Sequence, residues 1–342
     1  MDIGGTYRIY DNYVILIIIF MKTLTVFTPA YNRAHTINRT YESLCRQTND
    51  DFEWLIVNDG SSDETENLVE SWLQSGFKEY QTERDGRLYE HKDGSSKDKG
   101  FRIHYVYQQN QGMHGAHNTA YRYITTELNT CIDSDDYMPD DAVESIVTFW
   151  KENKNIKYAG FMGLDQREDG SIIGSTFHSN IKETTLMGFY ANGGSGDKKL
   201  VYRTDIIKKY PEYPLFKGER YVGLAYKYML IDQDYKILTL NKPLVVVEYQ
   251  ADGSSNMMWK QYWTNPKGFA FFRKTEMLVA PTLKRKLISC VHYVSSCIIS
   301  KNWKFVKESP KKLLTIAAII PGIILFYIIK SKVKKNRTLV VK

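Results

Sequence analysis

Cysteine is scarce in this chain, four in 342 residues, and the four stand apart at Cys45, Cys131, Cys290 and Cys297. No CxxC pair occurs and no ligand spacing connects them to the seven histidines. That excludes a cysteine–histidine metal site and leaves free buried thiols in a reducing compartment. Long apolar runs are equally few. Residues 313–329 (LLTIAAIIPGIILFYII) give 17 uncharged positions, at the short limit of the about 20 that a spanning helix needs. Pro321 and Gly322 at its centre predict a kink. Residues 14–21 form a shorter run with acids upstream and no small-x-small cleavage site behind it, a poor signal peptide. The stretch MKTLTVFTPAYN from Met21 reads as the start of a domain, so residues 1–21 read as an N-terminal extension outside the fold.

Acidic residues are nearly missing from the C-terminal end. Residues 301–342 hold eleven Lys or Arg and one acid, Glu308, a net of +10; subtracted from the whole-chain +7, this leaves −3 for the first 300. The basicity therefore belongs to a tail, and a mildly acidic globular part excludes nucleic acid as its partner. Lysines on both sides of residues 313–329 suit an anionic membrane surface. Residues 266–342 are predicted to be a helical, membrane-associated tail on the cytoplasmic face of the cell membrane, peripheral or monotopic.

From residue 23 strand-like and helix-like segments alternate, with no repeats and no linker before about residue 265. Strands are predicted over 23–28, 52–58, 102–108 and 130–133, and helices over 35–45, 67–73, 116–124 and 140–153. Residues 76–100 read as a polar excursion. Beyond residue 155 the pattern weakens to strands over 158–164, 171–175 and 244–249 and a short helix over 201–210. This is an α/β pattern, a mostly parallel Rossmann-like sheet with helices on both faces. Such sheets bind ligands outside the carboxyl ends of their strands. Three of those ends carry TPAYN (28–32), NDGSSD (58–63) and IDSDD (132–136).

Asp133 and Asp135 form an acid-x-acid pair just past a buried strand. Two carboxylates aimed into one cleft repel unless a cation sits between them, and hard oxygen ligands suit Mg²⁺ or Mn²⁺. An EF-hand loop starting at Asp133 fails, because Tyr137 and Met138 occupy the third-ligand and glycine positions. A haloacid-dehalogenase-type phosphatase needs the pair on its first strand, whereas here it follows the fourth. Asp140 and Asp141 are explained as the acidic start of a helix; Asp136 is left unassigned.

The run VFTPAYNRAHTINRTYESLCRQTNDDFEWLIVNDGSSDET, followed by NQGMHGAHNTA and IDSDD, resembles the family 2 glycosyltransferases of the GT-A fold. These are inverting enzymes that use nucleotide-sugar donors. The resemblance covers residues 22–150 in register and runs more loosely to about 260. It implies a GT-A domain over 22–265, with a nucleotide-sugar half (22–150) and an acceptor half (151–265). It implies that Thr28, Pro29, Ala30 and Tyr31 pack the base and ribose, and that Asp59 accepts from the uracil N–H. Asp135 would ligate a divalent cation, with Asp133 beside it at the ribose or the metal's water shell. Departure of the diphosphate would be assisted by Mn²⁺ or Mg²⁺ acting as a Lewis acid. The family often has Arg where this chain has His117, which puts a phosphate contact there in doubt.

An inverting transfer also needs a base for the acceptor hydroxyl. The resemblance implies Glu219 in FKGERYVGLAY, where Leu224 replaces a second acid found in many relatives; Asp197, Glu248 and Asp252 are weaker acceptor-side or metal-side groups. Aromatics crowd residues 249–272, a pattern read as core or membrane-facing helix. The expected activity is transfer from a nucleotide diphosphate sugar, preferably a UDP-sugar, to a hydroxyl of a lipid-linked or cell-surface glycan. A nucleotidyltransferase or phosphohydrolase on the same acids, or a non-catalytic membrane scaffold, are the alternatives.

Overall fold

All seven residues of strand β1 (Leu24–Ala30) are buried, and the molecule is built outward from it. In the computed structural model, residues 22–83, 86–91, 100–248 and 257–340 are described; the extension 1–21, Tyr249 and Asp252 lie outside them. After β1 the chain forms α1 (Ile37–Cys45), β2 (Phe52–Asn58), α2 (Thr65–Gly76), β3 (Phe77–Glu83), β4 (Gly86–His91) and β5 (Arg102–Tyr107). Next come α3 (Met113–Tyr123), β6 (Leu128–Cys131), α4 (Ala142–Asn153), β7 (Tyr158–Gln166), β8 (Glu183–Thr184) and α5 (Leu186–Ala191). β9 (Lys198–Arg203), α6 (Thr204–Ile207), α7 (Ala225–Asp234) and β10 (Lys236–Val246) complete the sheet domain.

The described strands form one sheet in the order β3-β4-β5-β2-β1-β6-β9-β7-β10-β8. β5, β2, β1 and β6 are mutually parallel, as are β7 and β10. Successive residues project to opposite faces. Trp54 and Ile56 enter one core with Ile37, Val69 and Val147, whereas Phe27, Leu55 and Val57 enter the other with Ala116 and Ala120. Cover on both faces is why these strands read as continuous apolar runs.

The chain leaves β1 for β2 and β5 on one side, then crosses to β6 on the other. β1 and β6 therefore flank the point where the strand order reverses, and there the two strands part. β6 pairs with β1 only from Leu24↔Leu128 to Phe27↔Cys131. Phe27 O still accepts from Ile132 N (3.0 Å), while Ala30 O accepts from Asp59 N (2.8 Å) on the opposite side. Residue 29 thus faces β6 at a level where β6 has ended. Proline, with no N–H to offer, fits that position inside the strand rather than stopping it.

Three expectations change. Residues 76–100 are not a plain excursion, since β3 and β4 extend the sheet antiparallel beyond β5. The helix over 201–210 is a strand first: Val201 pairs with both Thr130 and Phe161, and only Thr204–Ile207 turns helical. The strand over 171–175 reduces to a single bridge between Gln166 and Ile172.

Residues 257–340 form six helices: α8 (Met258–Thr264) before the predicted tail, and α9 (Pro266–Val279), α10 (Leu283–Ile299), α11 (Phe305–Glu308), α12 (Lys312–Ala317) and α13 (Ile319–Val340) within it. They share a core of Met277, Cys290, Tyr293, Val294, Cys297 and Ala318. The break in residues 313–329 falls at Ala318, between α12 and α13. Pro321 sits in the first turn of α13, where its missing N–H costs no helical hydrogen bond. A Cβ on Gly322 would lie 2.6 Å from Val294, so glycine sets how closely α13 approaches α10. Among the described residues no helix is long and apolar enough to cross a membrane.

The sheet domain and this helical unit are joined at residues 219–221. Glu219, 8% exposed, accepts from Lys267 N (3.0 Å) and Gly268 N (2.8 Å) at the start of α9. Asn265 Oδ1 accepts from Arg220 N (2.7 Å), and a Cβ on Gly268 would strike Tyr221 O at 2.0 Å. A carboxylate at a helix N-terminus satisfies donors that have no partner within the helix. Glu219→Ala is expected to lower unfolding free energy by about 2–4 kcal/mol, and Glu219→Gln, which keeps one acceptor, by about 1–2 kcal/mol. Urea denaturation of the full chain measures both.

On β7, burial pushes the carboxyl of Asp165 up to about 6, against the pull of Lys199. A carboxyl raised in the folded state is a liability above that pKa, and the liability disappears as pH falls toward the unfolded value. Asp165→Asn should therefore raise the melting temperature at pH 7–8, by a gain of up to about 3 kcal/mol. The gain should fade by about pH 4, as scanning calorimetry across that range would show.

Candidate active site

Beyond the parting of β1 and β6 lies a cleft of about 650 Å³, lined from β1 by Pro29, Ala30 and Tyr31, from β2 by Asp59 and after β6 by Asp133 to Asp136. Asp197, Arg220, Glu248, Met258 and Gln261 close its far side. Tyr31, 48% exposed, stands at the rim. Thr28 does not reach the cleft: it is fully buried, and its hydroxyl accepts from the Trp54 indole N–H at 3.0 Å.

The loops after β1 and β2 clip each other. Asn32 adopts a left-handed turn (φ 54), its N–H donates to Ser61 Oγ (3.0 Å), and its Oδ1 accepts from Ser62 N (2.8 Å). Arg33 N donates to Thr65 Oγ1 (2.8 Å). These contacts hold Arg33, a further cleft-lining residue, beside Tyr31.

Asp59 carries much of the local order. Its Oδ1 accepts from Gln108 Nε2 (2.6 Å) and Gln111 N (2.9 Å), and its Oδ2 from Gly112 N (2.8 Å). Burial nonetheless raises its pKa, outweighing these donors and Arg220. A carboxylate has about four lone-pair sites, so roughly one remains for a donor on a ligand. Gly112 (φ 82) is required twice over, because a Cβ there would meet Arg220 O at 2.1 Å. Asp59 thereby sets the 108–112 loop, and that loop sets Arg220.

The acids after β6 lie close together around one strand end. Asp136, 5% exposed, accepts from Glu248 N at 3.1 Å and is pushed up to about 8 by burial and then by the charge of Asp133. Lys199 on β9 donates to Cys131 O at 2.9 Å. Burial pulls its pKa down, but Asp165, Asp133 and Asp136 together raise it. Lys198 donates to the carbonyls of Ile173, Ser195 and Asp197 (2.9–3.1 Å) and so pins the loop that presents Asp197. Glu248 pairs with Arg39. Among the described residues no group of three or more His, Cys, Asp or Glu side chains is set to hold a metal ion. Mg²⁺-type sites commonly use one or two carboxylates and fill the remaining positions from phosphates and water. Asp133 and Asp135, both facing the cleft, fit that arrangement.

A second cavity of about 140 Å³ lies behind Asp133, lined by His117, Tyr121, Lys199, Leu200, Tyr202 and Leu224 among others. His117 belongs there rather than in the main cleft. It is fully buried, with Nδ1 on Met113 O at 2.9 Å, and burial lowers its pKa to about 4, so it is neutral. Its neighbour His114 does line the main cleft and is held neutral in the same way.

Among the expected residues, Pro29, Ala30, Tyr31, Asp59, Asp133 and Asp135 converge on the cleft, as do Asp197 and Glu248. Glu219 does not: both its oxygens serve the N-terminus of α9, and Arg220 takes the cleft wall instead. Arg33, His114 and Arg220 escaped the sequence reading. Arg220 was visible in FKGERYVGLAY, but nothing local shows which of two adjacent charges turns inward.

Comparison with known proteins agrees with this architecture. The glycosyl transferase family 2 profile matches residues 25–210, more than half of the chain. The glycosyltransferase GlyA of Streptococcus pneumoniae is 24% identical over 254 residues, 70% of this chain but 32% of that protein. A Pasteurella multocida chondroitin synthase is 28% identical over 168 residues, 48% of this chain and 15% of that one. The chain thus spans less than a third of the length of these relatives. The Escherichia coli β-1,3-glucosyltransferase WfgD is 24% identical over 233 residues, 68% of this chain and 78% of that one. The crystal structure of Staphylococcus aureus TarS 1–349 has a TM-score of 0.52 at 16% identity, covering 92% of each chain. That likeness supports the expected GT-A-like α/β fold with its mostly parallel central sheet. By the extent of the profile match, the chain belongs to glycosyl transferase family 2.

Proposed function

We propose that the chain is an inverting, metal-assisted transferase that moves a sugar from a nucleotide diphosphate sugar to a hydroxyl of a lipid-linked or cell-surface glycan. The observation that carries this reading is the placement of Asp133 and Asp135 at the strand-order reversal, in one cleft with Arg33, Arg220 and Asp59. A UDP-sugar is the preferred donor. The TarS structures include complexes with UDP and UDP-GlcNAc, and WfgD is named for transfer from UDP-Glc to a GlcNAc-diphosphoundecaprenol. Pro29, Ala30 and Tyr31 cover the base and ribose, and the remaining acceptor site on Asp59 takes the uracil N–H. Asp135 and Asp133 would hold Mn²⁺ or Mg²⁺, which would supply Lewis-acid neutralisation of the diphosphate. Arg220 and Arg33 supply further positive charge on the same wall.

The proton acceptor follows by elimination among the cleft carboxylates of the described residues. Asp59 is held by three donors, Glu248 by Arg39, and Asp136 is buried and accepts from Glu248 N. Asp133 and Asp135 would serve the metal. Asp197 is left, exposed at the rim on a loop pinned by Lys198. The helical unit 266–342 seats the enzyme peripherally on the cytoplasmic face of the cell membrane.

The test is to incubate purified protein with a panel of nucleotide-sugars, Mn²⁺ or Mg²⁺ and a membrane lipid extract, following nucleoside diphosphate release and labelled glycolipid. Release with at least one donor, reduced about 10²-fold or more in Asp135→Ala and abolished by chelator, is expected. No release with any donor would sink the transferase reading, and nucleoside monophosphate as product would point to the nucleotidyltransferase or phosphohydrolase class.

Asp197→Asn should lower kcat by about 10²–10⁴-fold at little changed donor KM. Glu219→Gln should turn over normally in its folded fraction. The reverse result would return the base to Glu219.

A further inference from the structure

Among the described residues, nothing covers a set of apolar side chains on α12 and α13. Leu313 (84% exposed), Ile316, Ile320 (71%), Ile324 (56%), Tyr327 (62%) and Ile328 lead it. Positions 320, 324, 327 and 328 repeat at helical spacing, which puts them on one face. The other face of α13 is occupied: Gly322 packs on Val294 of α10, and Ile329 and Val333 are buried. So the stripe is not a frayed end of the core. It is the outer side of a helix whose inner side is already satisfied.

The rim of the stripe is basic. Lys311 and Lys312 precede it and Lys330, Lys332, Lys334 and Lys335 follow it, while residues 281–342 contain one acid, Glu308. That acid is engaged by Lys274 at 3.3 Å and by Asn302. A second copy of the chain would press lysine rim against lysine rim in a two-fold contact. An anionic lipid surface instead supplies both the apolar layer and the counter-charge.

The stripe also connects to the cleft. Met258 and Gln261 of α8 line the cleft wall. From the same seven-residue helix, Trp263 stacks on Phe326 of α13 at 6.2 Å, and Tyr262 packs on Phe269 and His292. We propose that the stripe on α12 and α13 is a docking face for an anionic bilayer, and that α8 couples this face to the acceptor side of the cleft. Seating on the bilayer then presents the cleft wall to an acceptor whose glycan stands at headgroup level. The docking half stands by itself; the coupling half rests on the transferase reading above.

The full chain is to be floated with phosphatidylcholine vesicles with and without phosphatidylglycerol, at rising NaCl. Binding to the anionic vesicles alone, weakening with salt, is expected. Ile324→Glu/Ile328→Glu should lower the bound fraction roughly tenfold or more with unchanged circular dichroism, these side chains being exposed. The same variant should lose transfer to membrane-borne acceptor yet release nucleoside diphosphate at the wild-type rate with water or a soluble acceptor. Trp263→Ala should still bind vesicles but lose the advantage for the membrane-borne acceptor. A wild-type chain that stays off anionic vesicles overturns the docking face, as does a dimer in ultracentrifugation that Ile324→Glu dissociates. Vesicle binding with equal transfer by all variants overturns the coupling. Should no donor be cleaved at all, the flotation arm still decides the docking face independently.

Discussion

Everything chemical in this protein depends on where the β1–β6 ladder ends. The two strands stay paired as far as Phe27 and Cys131 and then separate, one turning toward β2 through Tyr31 and Asn32, the other into Asp133. A parallel pair that stayed together for two more residues would close the cleft with backbone hydrogen bonds. Proline at position 29 helps to forbid that closure, because the side facing β6 offers no donor. The opening is therefore a consequence of strand chemistry, and the acids gathered there inherit a site that no loop had to build alone.

Gathering five carboxylates (Asp133, Asp135, Asp136, Asp165 and Asp197) near one strand end is electrostatically expensive. The structure limits the cost in three ways. Asp136 and Asp165 are pushed up to about 8 and about 6 by burial, which lowers the charge they hold near neutrality. Lys199 is buried among them, and its cation is favoured by the same carboxylates that disfavour each other. Arg220 faces the cleft, placed there by Gly112 and the loop that Asp59 holds. What remains is a negative pocket with positive walls.

The strands were legible because both faces of the central sheet are covered, so β1, β2 and β5 appear as apolar runs bounded by turn residues. The acid pair at 133 and 135 was legible from its place after such a run. β9 was not, since Leu200, Val201 and Tyr202 precede a helical Thr204–Ile207 and short apolar segments carry no decisive period. Thr28 illustrates the resolution of motif reasoning: it lies one residue inward from the cleft, and strand alternation turns its hydroxyl to Trp54. The decisive partners of Glu219, Lys267 and Gly268, lie 48 and 49 residues away, and Asn265, which accepts from Arg220 N, lies 45 away. Tertiary contact at that distance leaves no mark in the local sequence.

Glu219 also explains why the tail is more than an appendage. Its carboxylate fixes the first turn of α9, Asn265 fixes the backbone of Arg220, and Gly268 allows Tyr221 to press against the helix. A change in how the helical unit sits therefore bears directly on the segment that carries Arg220 into the cleft. α8 provides a parallel link, with Gln261 on the cleft and Trp263 on α13. Two short connections, each made of a few polar contacts or one aromatic stack, join a surface of isoleucines and lysines to the groups that line the cleft. The residue that family resemblance marked for proton transfer is thus a joint between the sheet domain and the helices that carry the apolar stripe.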